Sequence, residues 1–245
     1  MPFGVDEAGK GPVLGSMFAA AIWVPDRAIL PGGVADSKRL SPDRREELAA
    51  RLRDDNRIRI GVHPISPARI DDPATDMNGL AVAAHAGAIE AALGECAGEN
   101  EPLAESGEQI ESLAPPSERT EPIEGVCDAC DTDADRFARR VADACAVELC
   151  VEARHGADDE DPLVGAASVV AKVERDAHVA TLATEYDEFG DLGSGYPSDP
   201  ATRAFLEDYV EATGELPACA RESWSTCQTL LAEAAQTGLG EFGGE

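Results

Sequence analysis

Gly4-Val5-Asp6-Glu7-Ala8-Gly9-Lys10-Gly11-Pro12 is the stretch whose reading decides the fold. A short apolar run, Phe3 to Val5, reads as a strand that ends in two adjacent carboxylates. A Gly-Lys-Gly turn follows, then a second apolar run from Met17 to Val24. Strand, acid pair, glycine turn and strand together describe a hairpin with carboxylates at its mouth. Neighbouring strand residues point to opposite faces, so Asp6 can enter a pocket while Glu7 reaches it from the strand end. Two carboxylates this close repel unless protons or cations sit between them.

Working outward, the chain of 245 residues suits one large domain, or one domain with extensions. With 43% hydrophobic residues it can bury a core. No apolar run approaches the roughly 18–20 residues of a transmembrane helix, and no signal peptide opens the chain. A cytoplasmic protein with no membrane partner is expected. The charge is the unusual quantity: 48 acids against 20 bases give −28. An acidic surface of this kind either repels nucleic acid or keeps a protein hydrated at very high salt. The acids are spread along the chain, arginine far outnumbers lysine, and aromatics make up only 4%, which favours the second reading. Near 1 M salt the Debye length falls to roughly 3 Å, so such a surface can still meet nucleic acid through close contacts. The three lysines, Lys10, Lys38 and Lys172, are then candidates for specific tasks.

Ser41 followed by Pro42 is an N-cap with proline at the first helical position, opening a helix to about Arg53. Ile58 to His63 alternates like a strand, Ser66 or Pro67 opens a short helical turn, and Asn78 to Leu93 has helical apolar spacing. Residues 97–125 differ in kind, with eight Glu, Arg119 as the single base, four prolines and no periodicity. They read as an acidic disordered insertion. Order resumes with a strand ending at Asp128, a helix capped by Asp133, and a strand over Val147 to Ala153. A long helical segment runs from Asp158 to Ala183, and a Gly-rich loop from Gly190 to Pro197 contains Tyr196. Two helices follow, the second ending near Ala235. Five strands with interleaved helices predict an α/β domain with a mixed sheet.

Asp6, Glu7, Asp128 and Asp158 all stand at element ends. Carboxylates gathered on one sheet edge form an oxygen-rich pocket suited to Mg²⁺ or Mn²⁺, ions that activate water and stabilise leaving oxygens in phosphodiester cleavage. In this order the blocks Gly4 to Pro12, Asp36-Ser37-Lys38-Arg39-Leu40, Asn78-Gly79-Leu80, Asp128-Ala129-Cys130-Asp131, Ala157-Asp158, Pro162 through Asp176, and Gly195-Tyr196-Pro197-Ser198-Asp199 resemble type 2 ribonuclease H (ribonuclease HII) of the archaeal kind. The resemblance covers most of the chain apart from the insertion and the tail, and with the charge it implies a protein from a halophile.

The resemblance implies an RNase H-like fold, a mixed central sheet flanked by helices with further C-terminal helices. Residues 1–96 and 126–190 would form the catalytic domain, interrupted by 97–125. Residues 191–235 would be a helical substrate-binding extension and 236–245 a flexible tail. It further implies endonucleolytic cleavage of RNA in RNA–DNA hybrids and on the 5′ side of ribonucleotides embedded in duplex DNA, leaving 5′-phosphate and 3′-hydroxyl ends. Asp6, Glu7, Asp128 and Asp158 would be the catalytic metal ligands, for Mn²⁺ or Mg²⁺. Gly9-Lys10-Gly11 would sense the 2′-hydroxyl, the group that separates RNA from DNA, and Tyr196 would pack on the sugar at the junction. Lys38 and Lys172 fit phosphate contacts, and Arg175 less so. Asp161 departs from the family, which often has an aromatic there, and is expected to weaken local packing. The alternatives are a DNA nuclease or resolvase of similar fold and a non-catalytic acid-rich binder.

Gln236, Leu239 and Phe242 resemble a sliding-clamp (PCNA) interacting peptide, although Gly243 stands where a second aromatic belongs. A monomer is otherwise expected. Seven cysteines without a secretory signal argue against disulfides. Cys127-x-x-Cys130 lacks a second pair at zinc-finger spacing, so the cysteines read as small buried apolar side chains. His155, three residues before Asp158, reads as a loop histidine.

Overall fold

The computed structural model describes residues 2–34, 38, 40–94 and 123–241, of which 236–241 are described in their backbone alone. Asp36, Ser37 and Arg39, nearly all of the acidic insertion, Phe242, and the side chains of Gln236 and Leu239 lie outside the described residues.

In chain order the elements are β1 (Phe3–Ala8), β2 (Met17–Trp23), α1 (Pro42–Asp54), β3 (Arg59–Ile65), α2 (Pro67–Ile70), α3 (Met77–Leu93), β4 (Ile123–Asp128), α4 (Ala134–Ala144), β5 (Leu149–Arg154), α5 (Ala157–Glu160), α6 (Pro162–Glu185), α7 (Pro200–Thr213) and α8 (Ser225–Glu241). The five strands form one mixed sheet in the order β3-β2-β1-β4-β5. β1 and β2 pair antiparallel from Phe3↔Trp23 to Ala8↔Phe18, which is the hairpin expected from the opening stretch. β4 lies parallel to both β1 and β5, as strands joined through helices do. The α/β reading with a mixed central sheet flanked by helices therefore holds.

The chain divides into two compact units. One comprises Met1–Ala8, Phe18–His63 and Ala81–Val173, and the other Gly9–Met17, Pro64–Leu80 and Glu174–Glu245. In the first unit, Ile22, Leu48, Leu52, Leu163, Ala167 and Val170 belong to one buried cluster between sheet and helices. Gly4 shows how tightly α6 lies on β1: a Cβ there would stand 2.4 Å from the Leu163 carbonyl carbon and 2.5 Å from the Val164 amide nitrogen. Only a residue without a side chain lets the helix approach so closely. In the second unit, Leu14, Leu182, Leu192, Phe205 and Leu206 form a separate core.

Several boundaries differ from expectation, each for a local reason. The segment from Asp158 is two helices rather than one. Pro162 lacks an amide hydrogen and forces the preceding residue into extended backbone, and Asp161 sits at φ −110°, ψ 117°. Asp161 Oδ1 then accepts the Leu163 N–H at 2.9 Å and the Arg27 guanidinium at 2.8 Å. The acid expected to weaken packing is a buried helix cap paired with an arginine. Ile123, Glu124 and Gly125, placed in the insertion by composition, open β4. Gly125 is fixed by the Phe3 ring, whose Cζ would lie 2.1 Å from a Cβ. The last helix runs to Glu241, through residues read as tail. Among the described residues no helix is long and apolar enough to cross a membrane.

Candidate active site

The sheet register brings the acids together. β1 and β4 pair at Val5↔Cys127, and one residue further along each strand stand Asp6 and Asp128. β5 extends to Arg154, opposite Asp128. The chain then turns through Gly156 in left-handed backbone (φ 70°) into α5, whose second residue is Asp158. Gly156 has no side chain with which to cap α5. Asp128 supplies the missing cap, its Oδ1 accepting the Ala157 N–H at 2.7 Å. A strand-end acid thus fastens the short helix that carries the next acid.

Asp6 is 4% exposed and Asp158 1%. Burial, and then the neighbouring Glu7 charge, push the Asp6 carboxyl well above the usual range. A hydrogen bond from Ser168 and the Lys172 ammonium oppose that rise, and Asp128 adds to it. Lys172 Nζ in turn donates to Ser168 Oγ. Burial also raises Asp128, against the Ala157 amide and Lys38, and the charges of Asp158 and Glu7 raise it further. Lys38 Nζ donates to Asp158 Oδ1 at 2.9 Å and lies 3.5 Å from Asp159 Oδ2. Its own pKa is raised, first by the bond to Asp158. Four carboxylates therefore act on one another and face two ammonium groups. Asp6 and Asp128, held above the usual carboxylate range first by burial and then by neighbouring charges, offer hard oxygen donors that fit a divalent cation.

Glu7 meets a residue the sequence did not single out: His85 Nε2 lies 3.0 Å from Glu7 Oε2. His85 is fully buried and meets the Phe137 ring edge-on at 5.1 Å. The available signal was a histidine in the middle of a helix built mainly of Ala, Val, Leu and Ile, whose other polar residues, Asn78 and Glu90, lie nearer its ends. His155 bonds the Asp131 carbonyl oxygen at 2.8 Å. Asp131 is gripped by Arg136, which pulls its carboxyl down to about 2.

The second unit holds the Gly9-Lys10-Gly11 loop. Gly9 has φ 86°, and a Cβ there would meet Ser16 O at 3.1 Å. Lys10 Nζ lies 3.5 Å from Asn78 Oδ1. Tyr196, 38% exposed, stands over the loop, with its Cε1 3.6 Å from where a Gly11 Cβ would be. Arg175 lies 5.1 Å from the Tyr196 ring centre and bonds Ser194 O and Asp176. The loop is organised by a second residue that sequence reasoning missed. Arg221 is fully buried, donates to the carbonyls of Gly9, Lys10 and Gly15, and stacks on Trp224, whose Nε1 donates to Gly11 O at 3.3 Å. Nothing local in the sequence marks its role, since its carbonyl acceptors lie more than 200 residues earlier.

Residues 3–227 match the family model for Ribonuclease HII. A ribonuclease HII of Haloarcula marismortui is 54% identical over 242 residues, spanning 99% of this chain and 100% of the relative. Among solved structures, the ribonuclease H2 of Pyrococcus horikoshii OT3 superposes with a TM-score of 0.76 at 31% identity, over 96% of this chain and 99% of that one. An RNase HII from Archaeoglobus fulgidus, solved as a complex with PCNA, gives a TM-score of 0.71 at 34% identity, over 94% and 96%.

Proposed function

The chain belongs to the ribonuclease HII family, endonucleases that cleave the RNA of RNA–DNA hybrids, and from that premise we propose that Asp6, Glu7, Asp128 and Asp158 are its catalytic acids. The observation that carries this is the Asp128 carboxylate. It stands beside Asp6 in the sheet register and caps the helix of Asp158 through the Ala157 amide.

Mg²⁺ or Mn²⁺ would be held by these four side chains. A divalent cation there supplies positive charge to the phosphodiester and lowers the pKa of the attacking water. The protein's own groups do the rest. Asp6 and Asp128 present fixed oxygens from two hydrogen-bonded strands, so the cup need not reorganise during reaction. Lys172, through Ser168, steadies the Asp6 carboxylate. Lys38 holds Asp158 and carries an ammonium that is half exposed, suited to meet a phosphate when substrate arrives. Gly9-Lys10-Gly11 reads the ribose through backbone groups that no side chain screens, and Tyr196 offers an exposed ring to a sugar. Cleavage on the 5′ side of a ribonucleotide, in hybrids and in duplex DNA with a single embedded ribonucleotide, leaves 5′-phosphate and 3′-hydroxyl ends.

The carboxylate-rich surface suits this work to high salt, and Gln236, Leu239 and Phe242 are proposed to engage a sliding clamp. Duplex DNA carrying one ribonucleotide, incubated with Mg²⁺ or Mn²⁺ from low to molar KCl, tests the reading. Cleavage that survives Asp128→Asn at near-normal rate sinks it. Capture by the clamp of the full chain, but not of one ending at Ala235, tests the tail.

A further inference from the structure

Next to the oxygen cup, one cluster mixes hard and soft donors. Glu7 Oε2 lies 3.0 Å and Cys130 Sγ 3.7 Å from the same His85 nitrogen, Nε2, and the ligand atoms of all three fall within 4.8 Å of one another. They come from three different elements: Glu7 from β1, His85 from α3, and Cys130 two residues beyond β4. Among the described residues His85 Nδ1 has no hydrogen-bond partner, so the polar chemistry of this buried ring runs through Nε2. The edge-on Phe137 ring fixes the imidazole plane.

Zinc binds nitrogen and carboxylate oxygen at about 2.0–2.2 Å and thiolate sulfur at about 2.3 Å, so tetrahedral ligands stand roughly 3.3–3.6 Å apart. The spacings of 3.0 and 3.7 Å lie within a few tenths of an ångström of that geometry. Mg²⁺ and Mn²⁺ prefer oxygen donors, whereas imidazole and thiolate favour zinc-like ions.

We propose that Glu7, His85 and Cys130 form a binding site for a thiophilic divalent cation of the zinc type, separate in its donors from the oxygen cup but sharing Glu7 with it. Three protein ligands leave a fourth position open to water. Occupation holds the Glu7 carboxylate where it already stands, beside His85, and so withholds one acid from the cup, so that zinc switches hydrolysis off. The inhibition rests on the proposed role of Glu7, while the binding does not.

Co²⁺ titrated into the full chain is the direct probe. A thiolate-to-cobalt charge-transfer band is expected at one equivalent, displaced by Zn²⁺ and absent in Cys130→Ala, with unchanged circular dichroism confirming the fold. In the Mg²⁺-supported assay, Cys130→Ala should keep its rate and become at least about tenfold less sensitive to zinc. No thiolate band, or the same band in Cys130→Ala, overturns the site. A band lost in Cys130→Ala alongside undiminished zinc inhibition keeps the site and refutes its hold on catalysis through Glu7.

Discussion

The Arg221 guanidinium donates to the Gly9 carbonyl oxygen at 2.6 Å across 212 residues of chain. Its other nitrogens reach Lys10 O at 3.0 Å and Gly15 O at 2.9 Å, while its own amide bonds Val13 O at 2.9 Å. A buried arginine that donates to three backbone carbonyls works as a clamp, since the planar fork fixes three acceptors at once. Burial lowers its pKa to about 10, still far above neutrality, so the clamp stays charged.

Arg221→Lys should therefore keep the charge but loosen the loop. An ammonium cannot span three divergent carbonyls, and burial depresses a lysine more easily than an arginine. Losing two bonds from a buried charged donor costs about 3 kcal/mol. The expected result is a lower melting temperature and a fall of about tenfold or more in kcat/KM on a single-ribonucleotide duplex. Mg²⁺ affinity, measured by calorimetry, should be unchanged, because Arg221 bonds none of the four acids. Equal cleavage by the variant removes the loop from substrate reading.

Asp6→Asn should abolish cleavage and raise stability without metal. A carboxyl whose folded pKa is raised stabilises the fold while protonated, below its unfolded pKa. That contribution is lost as pH climbs through the higher folded value. At neutral pH the ionised Asp6 is thus a liability, caused first by burial and then by Glu7, and the amide removes it. Melting curves from pH 4 to 8 should fall for the metal-free wild type and flatten for Asp6→Asn, with Mg²⁺ restoring only the wild type. A variant that melts lower than wild type at pH 8 contradicts this account.

These cases show what the sequence carries. The pair Asp6 and Glu7, and likewise Asp128, could be read because each follows directly on a short apolar run, a local mark, although β1 continues past the pair to Ala8 and only Asp128 ends its strand. The cap at Ser41-Pro42 is equally local, and α1 begins where it says. The break at Asp161 was hidden because apolar spacing continues across it, while Pro162 alone decides the backbone. The roles of His85 and Arg221 could not be read locally, since each is defined by an acceptor 78 or more than 200 residues away. Lys38 and Lys172 stood out only through lysine scarcity. That pointed to the residues but not to their acceptors, Asp158 and Ser168.

Lys38→Met separates two roles of one ammonium. Lys38 Nζ occupies Asp158 Oδ1, where it competes with a cation, and its half-exposed side chain can also meet phosphate. Removing it should tighten Mg²⁺ binding and lower kcat by about tenfold, a loss of roughly 1.4 kcal/mol of transition-state stabilisation. Calorimetry and steady-state kinetics read the two effects separately. Weaker Mg²⁺ binding in the variant would show that Lys38 holds Asp158 in place for the cation rather than competing with it.

Salt should stabilise this chain rather than weaken it. A net charge of −28 on 245 residues makes the folded surface repel itself. Among the described residues, the ion pairs that offset this are mostly at least one-third exposed on one side, such as Arg57–Asp55, and contribute little each. Raising KCl from about 0.1 M to about 1 M shortens the Debye length from roughly 10 Å to roughly 3 Å, which removes more repulsion than attraction. The cluster of buried Asp6 and Asp158 with half-buried Asp128 is shielded from that screening and continues to require a cation. Melting temperature should thus rise with KCl at fixed pH, and Mg²⁺ should still add a further increment at molar KCl. If KCl alone brings the melting temperature to the Mg²⁺ value, the acid cup is no more than part of the general surface charge.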